Sequence, residues 1–184
     1  MFLNKRFLIF IFFIITTNAF GAIKENVINN LKEINSLTFQ FEQNINGKKE
    51  RGKCAIKYPK KIFCKYDLKN NKILVSNGKS LVIKTLTSYY IYPLEKTSLN
   101  YILDKNFLLK RISNAKERIV NKKYIHFSFN QNDDEINVFF DRKTYNIIGW
   151  QTLDIYQNLN ITYLNSIIKN QILDKSLFKL PAQN

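Results

Sequence analysis

The stretch Gly52-Lys-Cys-Ala-Ile-Lys-Tyr-Pro-Lys-Lys-Ile-Phe-Cys-Lys-Tyr66 contains two alternating segments separated by a proline turn. Alternation of this kind is typical of β-strands, and a turn between two such segments predicts an antiparallel hairpin. If the hairpin is centred on Pro59, residues 54 and 64 lie directly opposite each other, because each is five positions from the centre. The rest of the predicted fold extends outward from this hairpin.

Cys54 and Cys64 are the two cysteines of the chain. Directly opposed side chains in a hairpin have Cβ atoms about 4.5–5.5 Å apart, which is close to the reach of a disulfide. In an oxidising compartment an even number of cysteines favours a bridge. We therefore predict a Cys54–Cys64 disulfide, with two free buried thiols as the alternative. The neighbouring sequence supplies no further ligands for zinc, so we predict no metal site.

The two-residue period continues on both sides of the hairpin. Asn46-Gly47 and Asn77-Gly78 are turn dipeptides between alternating segments, and the second is the strongest hairpin signal in the chain. A further turn is predicted at Asn132-Asp133. The predicted strands are residues 37–42, 53–58, 62–66, 72–76, 80–84, 89–92, 124–130, 135–141, 147–155 and 159–168.

Two segments have a helical period instead. Val27, Ile28, Leu31 and Ile34 predict an amphipathic helix over residues 24–35, and Leu108, Leu109, Ile112 and Ala115 predict a second one over residues 107–118. We therefore predict a mainly β fold of the α+β class, with eight to eleven antiparallel strands and two helical pieces. A sheet this long tends to curl. Two short helices are scant cover for its concave side, so we expect an unfilled apolar hollow there.

Composition limits the functional classes. The chain has 184 residues, 45% of them hydrophobic, which suits one globular domain. The single histidine, His126, lies within an alternating strand, where a structural role is expected, and no Gly-x-Ser-x-Gly nucleophile motif occurs. Acidic residues 133–135 are predicted at a hairpin tip, where carboxylates are usually solvated. We predict that the protein is not an enzyme and has no cofactor.

The first 21 residues have the pattern of a secretory signal peptide. Lys5 and Arg6 precede an apolar run over residues 7–15, and Ala19-Phe-Gly21 supplies small residues for cleavage near Gly21/Ala22. The alternative is an uncleaved membrane anchor, although the run is shorter than the roughly 20 residues that a spanning helix requires. Cleavage leaves one domain, residues 22–184, in an oxidising compartment outside the cytoplasm. Export makes nucleic acid an unexpected partner despite the basic composition.

Four motifs resemble the LolA family of periplasmic lipoprotein carriers in the same order along the chain. Residues 30–43 resemble the helix that leads into the family's first strand, and residues 52–66 resemble its strand, proline turn and aromatic strand. Ile73-Leu-Val-Ser-Asn-Gly-Lys-Ser-Leu81 resembles its strand, Asn-Gly turn and strand, and Phe178-Lys-Leu-Pro181 resembles its closing motif. Together these motifs extend over nearly the whole of residues 22–184.

The resemblance implies an incomplete β-barrel with a helical lid over a cavity for the acyl chains of lipoproteins. It also implies an ABC-type exporter in the inner membrane as the loading partner and delivery to the outer membrane, where a receptor of similar fold often takes the cargo. We expect a monomeric chaperone of this kind. The alternative is a periplasmic carrier or sensor of another amphiphile, such as a glycolipid, with the same fold.

The candidate cavity lies between the early strands, the later strands and the second helix. Its candidate residues, each of which has ordinary core packing as the alternative, are Phe39, Phe41, Ile56, Tyr58, Ile62 and Val75, then Phe127, Phe129, Val138 and Phe140, with Leu108, Leu109 and Ile112 on the inner face of the lid. The sequence departs from the family at Tyr58, where members commonly carry an arginine that holds the lid closed. It also departs at the two cysteines, where larger apolar residues are usual.

The chain carries 29 Lys and Arg residues against 14 Asp and Glu, a formal charge of +15, and loss of Lys5 and Arg6 leaves +13. A basic surface of this kind attracts anionic lipid headgroups or an acidic partner. A coding bias toward lysine and asparagine is the alternative explanation.

Overall fold

The computed structural model describes residues 19–131, 134–154 and 156–183. Most of the predicted signal peptide and the predicted Asn132-Asp133 turn therefore lie outside the described residues. Within these ranges, no helix combines the length and the apolar character needed to cross a membrane.

One antiparallel sheet contains the eleven strands of the described ranges. The strands are β1 Ser36–Ile45, β2 Lys48–Lys57, β3 Lys61–Tyr66, β4 Ile73–Asn77, β5 Ser80–Lys84, β6 Tyr89–Pro93, β7 Arg118–Val120, β8 Tyr124–Gln131, β9 Asp134–Asp141, β10 Ile147–Leu153 and β11 Leu159–Lys169. The helices are α1 Ala19–Glu33, α2 Leu99–Leu103 and α3 Lys105–Asn114, and short 3₁₀ turns lie at Leu94–Lys96 and Lys175–Phe178.

The strand order is β6-β5-β4-β3-β2-β1-β11-β10-β9-β8-β7. Two meanders therefore meet at the β1–β11 pair, and α2 and α3 connect the two edges of the sheet. The sheet curls strongly enough to bring the hydroxyl of Tyr92 on β6 to 3.4 Å from that of Tyr156, in the turn before β11. The predicted curved antiparallel sheet with helices across its concave side is confirmed, and its open edges make it an incomplete barrel.

The β2–β3 hairpin has the predicted register. Cys54 pairs with Cys64, and the two form a disulfide with Cα atoms 4.1 Å apart. β2 begins at Lys48, earlier than predicted, because the charged residues before Gly52 show no alternation of apolar side chains. Gly52 is required at its position, since a Cβ there would clash with the Lys65 carbonyl oxygen and lie 2.8 Å from Cε1 of Phe41.

The helices differ from prediction at their ends. α1 begins at Ala19, so the predicted cleavage point after Gly21 falls within it, and β1 already begins at Ser36. α3 ends at Asn114, because Ala115 has an extended backbone and Arg118 begins β7. α2 was not predicted, since five residues are too few to establish a period.

Both faces of the sheet bury apolar side chains. The concave face carries the main core, which packs against α1 and α3. On the convex face the C-terminal 3₁₀ turn lies against β3 and β4, and its Phe178 is buried. Val75 and Val82 pair with each other on this convex side. Strands β4 and β5 are therefore apolar on both faces.

Candidate functional site

A hollow of about 500 Å³ remains at one end of the concave face. β3 to β6 form one wall, the ends of β10 and β11 form the opposite wall, and the segment leading into α2 closes part of the top. Its apolar lining consists of Phe41, Ile45, Ile62, Leu68, Leu74, Leu81, Ile83, Leu99, Trp150 and Leu153, with Tyr90, Tyr92 and Tyr156 among the aromatic residues and the Cys54–Cys64 disulfide on the floor.

The hollow opens to solvent at its rim. Tyr90 is 49% exposed, and Leu74 and Ile83 are half-buried. The hydroxyl contact between Tyr92 and Tyr156, together with burial, raises the pKa of Tyr92 to about 12. The Tyr92 phenol is therefore uncharged at neutral pH, and an apolar ligand entering past it meets no phenolate at this position.

Two of the predicted cavity residues, Phe41 and Ile62, line this hollow. Most of the others lie under the helices instead, where they are almost completely buried in the main core: Phe39, Ile56, Leu108, Ile112, Phe127, Val138 and Phe140. Tyr58, Leu109 and Phe129 are half-buried and pack against the same core. Val75 does not reach the concave side at all, because it lies on the convex face beside Val82.

Helical cover accounts for this division. Lys24 of α1 forms an ion pair with Glu117, and the side chain of Asn30 donates to the Thr144 carbonyl, so α1 spans the later strands. Phe107 of α3 packs edge-on against Phe129 of β8, with ring centroids 5.9 Å apart. The concave residues of β8 and β9 are consequently enclosed, whereas the hollow beside β4 to β6 is covered in part by residues 97–99, which lead into α2.

Sequence reasoning missed most of the wall. Leu74, Leu81 and Ile83 line the hollow, but their neighbours Val75 and Val82 are equally apolar, so composition does not indicate which face is concave. The pairing register of the strands shows which face is concave. Leu74 pairs with Cys64, which pairs with Cys54, so the disulfide and these leucine positions must share a face.

One end of the hollow is polar and contains a buried carboxylate. Glu50 is 5% exposed, and its Oε2 lies 2.5 Å from Nζ of Lys72, while Lys48 lies 3.7 Å from Oε1. Nζ of Lys72 also sits 4.2 Å from the centre of the Tyr66 ring. Burial, reinforced by the Glu50 carboxylate, raises the pKa of Tyr66 above its usual range.

Neutral hydrogen-bonding groups continue from this pair toward β11. The Tyr66 hydroxyl donates to Oε1 of Gln43 over 3.3 Å. The Gln43 amide in turn donates to Oδ1 of Asn160 at 2.9 Å and to the Thr162 hydroxyl at 3.4 Å. Thr152 and Thr162 are buried, and both line the hollow. The hollow is thus apolar at one end and polar, with fixed amide and hydroxyl groups, at the other.

The helical segment is fastened to the β2–β3 hairpin near Tyr58. The backbone N–H of Lys60 donates to the Leu103 carbonyl at 2.9 Å, and Nζ of Lys60 lies 3.4 Å from the Asp104 carboxylate. Lys105 donates to the carbonyls of Lys32 and Ile34 at the end of α1. We call Lys60, Asp104 and Lys105 the lid clasp. Burial raises the pKa of Tyr58, and Nζ of the clasp residue Lys105 lies 6.0 Å from the centre of the Tyr58 ring.

His126 lies on the convex face and not in the hollow. Its Nδ1 is 2.8 Å from the Arg118 guanidinium, its Nε2 is 2.6 Å from Oδ1 of Asn137, and its ring stacks on Phe139. These contacts are those of a histidine that links neighbouring strands.

An open, strongly curved antiparallel sheet with helices across its concave face is the LolA-like fold. The sequence model of the outer membrane lipoprotein carrier protein LolA matches residues 32–181. The chain therefore belongs to the LolA family, as the motifs predicted. No curated protein matches the sequence.

Solved structures of similar fold have little sequence in common with this chain. MucB is 12% identical with a TM-score of 0.50, and the similarity covers 88% of this chain and 64% of MucB. A LolA superfamily protein from Nitrosomonas europaea is 6% identical with a TM-score of 0.46, covering 89% of this chain and 99% of that one. The Mycobacterium tuberculosis lipoprotein LppX is 10% identical with a TM-score of 0.44, covering 83% and 97%.

Proposed function

We propose that this protein is a periplasmic chaperone that binds the acyl chains of lipoproteins and carries them from the inner to the outer membrane. The observation that carries the proposal is the apolar hollow on the concave face. Its loading partner is an ABC-type lipoprotein exporter in the inner membrane. Delivery takes place at an outer-membrane receptor or at an anionic membrane surface, which the basic composition suits.

The size of the hollow suits one acyl chain. A cavity of about 150 Å³ holds one benzene molecule, so about three times that volume has room for roughly eighteen carbon atoms. At about 0.8 kcal/mol per buried methylene, one long chain gains on the order of 12 kcal/mol on leaving water. This is enough to keep an acylated protein in solution while it crosses an aqueous compartment.

A cargo with two or three chains requires more room than this conformation offers. The core beneath α1 and α3 is filled, so additional space must come from movement of the segment that contains α2 and α3. Displaced lid side chains then compete with the cargo for the same apolar surface. That competition lowers the net affinity and favours release, which a carrier needs as much as it needs binding.

The test is binding of a synthetic diacylated lipopeptide, with the unacylated peptide as a control. Ile83→Asp places a charge in the wall of the hollow, whereas Ile91→Asp places the same charge on the solvent-exposed side of the adjacent strand β6. We expect Ile83→Asp to weaken binding at least about tenfold, because the charge must be desolvated by the ligand, and Ile91→Asp to leave binding unchanged.

Circular dichroism and thermal unfolding of both variants establish that they fold. If Ile83→Asp does not fold, Ile83→Trp serves in its place, since it fills the hollow without introducing charge. Binding of acylated and unacylated peptide with equal affinity, or equal binding by the wall variants and the wild type, would contradict the proposal. Native mass spectrometry of the protein from its own periplasm identifies the natural ligand. A glycolipid there, in place of an acylated polypeptide, would support the alternative.

Export is part of the same proposal. Residues 1–21 are proposed as a signal peptide, and the mature chain is expected to begin at Ala22. N-terminal mass spectrometry of the periplasmic protein tests this directly. A chain that still begins at Met1 and fractionates with the inner membrane would indicate an uncleaved anchor.

A further inference from the structure

The polar end of the hollow is built into the same face as its apolar wall. Along β1 the concave side passes from Phe41 to Gln43, and along β2 it passes from Cys54 to Glu50. A ligand whose tail lies against Ile83 therefore has its other end beside the amide and hydroxyl groups. This is the distribution of polarity within a single acylated molecule, which has hydrocarbon at one end and ester or amide groups at the other.

The charges at this end cancel. Lys48 and Lys72 line the hollow together with Glu50 and Asp154, so the lining holds two cations and two carboxylates. Lys72 is already neutralised by Glu50 at 2.5 Å. Asp154 is engaged by the backbone N–H groups of Tyr156 and Asn158. The polar end therefore offers hydrogen bonds from a lining whose formal charges sum to zero.

The buried carboxylate also acts against anionic ligands. A phosphate placed beside Lys72 would lie close to Glu50, which is almost completely buried. Repulsion between two such charges is poorly screened away from water. By contrast, an ester carbonyl can accept from a threonine hydroxyl such as that of Thr162, and a glycerol hydroxyl can donate to an amide oxygen, without any charge being desolvated.

Resting on the proposed function, we infer that Gln43, Glu50, Lys72 and Thr162 form a subsite for the uncharged glycerol-ester and amide linker that joins acyl chains to their head, and that Glu50 excludes anionic phospholipids. The benefit to a carrier is specificity, because phospholipids are abundant in both membranes and have the same acyl chains. A wall of hydrocarbon cannot tell such ligands apart, whereas a charged group that repels one of them can. The linker chemistry is shared by an acylated polypeptide and by diacylglycerol.

The experiment compares three competitors with identical acyl chains: diacylglycerol, a diacylglyceryl-cysteine peptide and phosphatidic acid. Each displaces a fluorescent fatty-acyl probe from the folded protein at neutral pH. We expect the two neutral-linker ligands to bind within about tenfold of each other, and phosphatidic acid to bind at least about tenfold more weakly.

Glu50→Gln supplies the decisive variant. It removes the repelling carboxylate and frees Lys72, so phosphatidic acid is expected to gain about tenfold in affinity while diacylglycerol changes little. The matched control is Glu42→Gln, a substitution on the neighbouring strand at the opposite face, where Glu42 pairs with Arg51 in solvent. If Glu50→Gln fails to fold, Gln43→Leu is expected to weaken both neutral-linker ligands while leaving the fatty-acyl probe unaffected.

The outcomes distinguish failure of the proposed subsite from failure of the proposed carrier function. Equal binding of phosphatidic acid and diacylglycerol by the wild type, or no change in their ratio in Glu50→Gln, overturns the subsite. Binding of the peptide without diacylglycerol means that the protein recognises the polypeptide and not the linker, which also overturns it. Failure of every acyl ligand, including the probe, contradicts the carrier function itself.

Discussion

The concave face of the sheet has a packed half and an open half, and the same kind of strand forms both. In the packed half, formed by β8, β9, α1 and α3, side chains such as Phe127 and Val138 have no exposed surface. In the open half, formed by β3 to β6 with α2, Leu74 and Ile83 are half-buried and Tyr90 is 49% exposed. In both halves, some strands alternate apolar and polar residues and others are apolar on both faces. The difference lies in what covers them.

One of the covering helices, α1, is distant in the chain from the strands beneath it, whereas α3 directly precedes β7 and β8. α1 precedes the first strand, yet it spans the later strands through its contacts with Thr144 and Glu117. The open half has a covalent reinforcement instead, the Cys54–Cys64 disulfide on its floor. The disulfide links β2 to β3 covalently beneath the hollow, although both cysteines also belong to the main core.

The largest expected effect measures the contrast between the halves directly. Ile125 on β8 is completely buried in the packed half, whereas Ile83 on β5 lines the hollow. Ile125→Ala is expected to lower the free energy of unfolding by about 2–5 kcal/mol, because it leaves a cavity in a filled core. Ile83→Ala is expected to cost on the order of 1 kcal/mol, since part of its side chain already faces open space. Urea unfolding of both variants provides the measurement.

The same two alanine substitutions should also differ in their effect on ligand binding. Ile83→Ala removes apolar surface that the proposed ligand contacts, so it should weaken acyl-chain binding, while Ile125→Ala should leave binding intact in the folded fraction. Equal losses of stability at the two positions would mean that the open half is as tightly packed as the other, and the two halves would not differ in packing.

Much of the fold was predictable because it rests on local patterns. The β2–β3 register follows from the position of Pro59 between two alternating segments, and the turn at Asn77-Gly78 separates β4 from β5 as expected. The disulfide follows from that register. Short elements without a period were missed, namely α2 and the three-residue strand β7. α2 lies in the connection between the two edges of the sheet, and β7 is one of those edges.

The site was less predictable than the fold. Phe127 and Phe140 have the same residue type and alternation as Phe41, and only the position of α1 and α3 places the first two in a filled core. Val75 lies on the convex face, and the sequence does not predict this because β4 is apolar on both sides. The charged run from Lys48 to Arg51 does not indicate that Glu50 is buried, since its partner Lys72 lies in the distant segment just before β4.

The second prediction tests whether the disulfide is needed to stabilise the strands of the open half. It closes a loop with a sequence separation of 10. Cys54→Ala combined with Cys64→Ala is expected to lower the free energy of unfolding by about 3 kcal/mol, because the unfolded chain is no longer constrained. Hydrogen exchange should show the loss of protection in β2 to β5, with the packed half retaining its protection.

Reduction of the wild-type protein with a thiol reductant is the matched treatment, since it breaks the same bond and adds only one hydrogen atom to each sulfur. It should reproduce the exchange pattern of the double variant. A uniform loss of protection in both halves would show that they unfold as one unit, and the disulfide would then have no special role in the open half.

The third prediction concerns pH and the boundary between the halves, where the Tyr66 ring packs edge-on against Phe41. Burial, with the Glu50 carboxylate, raises the pKa of Tyr66 above its usual value of 10.0. A raised pKa in the folded state means that stability is complete below pH 10 and is lost as the pH rises above it. Tyr66→Phe has no phenol to ionise, so its free energy of unfolding should fall less steeply between pH 9 and 11, a range set by the usual tyrosine pKa of about 10. Parallel curves for the two proteins in urea unfolding would contradict a buried phenol at this position.

The smallest effect on stability is expected at the lid clasp, where the two halves are joined. Asp104→Asn removes the charge that faces Lys60, but asparagine can still accept from the Phe107 N–H and so retain the helix cap. Both partners are partly exposed, so stability should fall by less than about 1 kcal/mol. The effect on the movement of the lid should be larger than the effect on overall stability, because the ion pair restrains the end of α2 beside the open half.

We therefore expect Asp104→Asn to accelerate hydrogen exchange in α2 and to raise the rate at which the protein takes up a fluorescent fatty-acyl probe. Lys60→Gln should have the same effect from the other side of the pair, and the double variant should add little to either, since both changes remove one interaction. Asp67→Asn, an exposed substitution on the open half away from the clasp, is the control. Additive effects of the two clasp variants, or faster uptake in the control as well, would show that access to the hollow does not depend on this ion pair, and that α2 opens by a movement the clasp does not restrain.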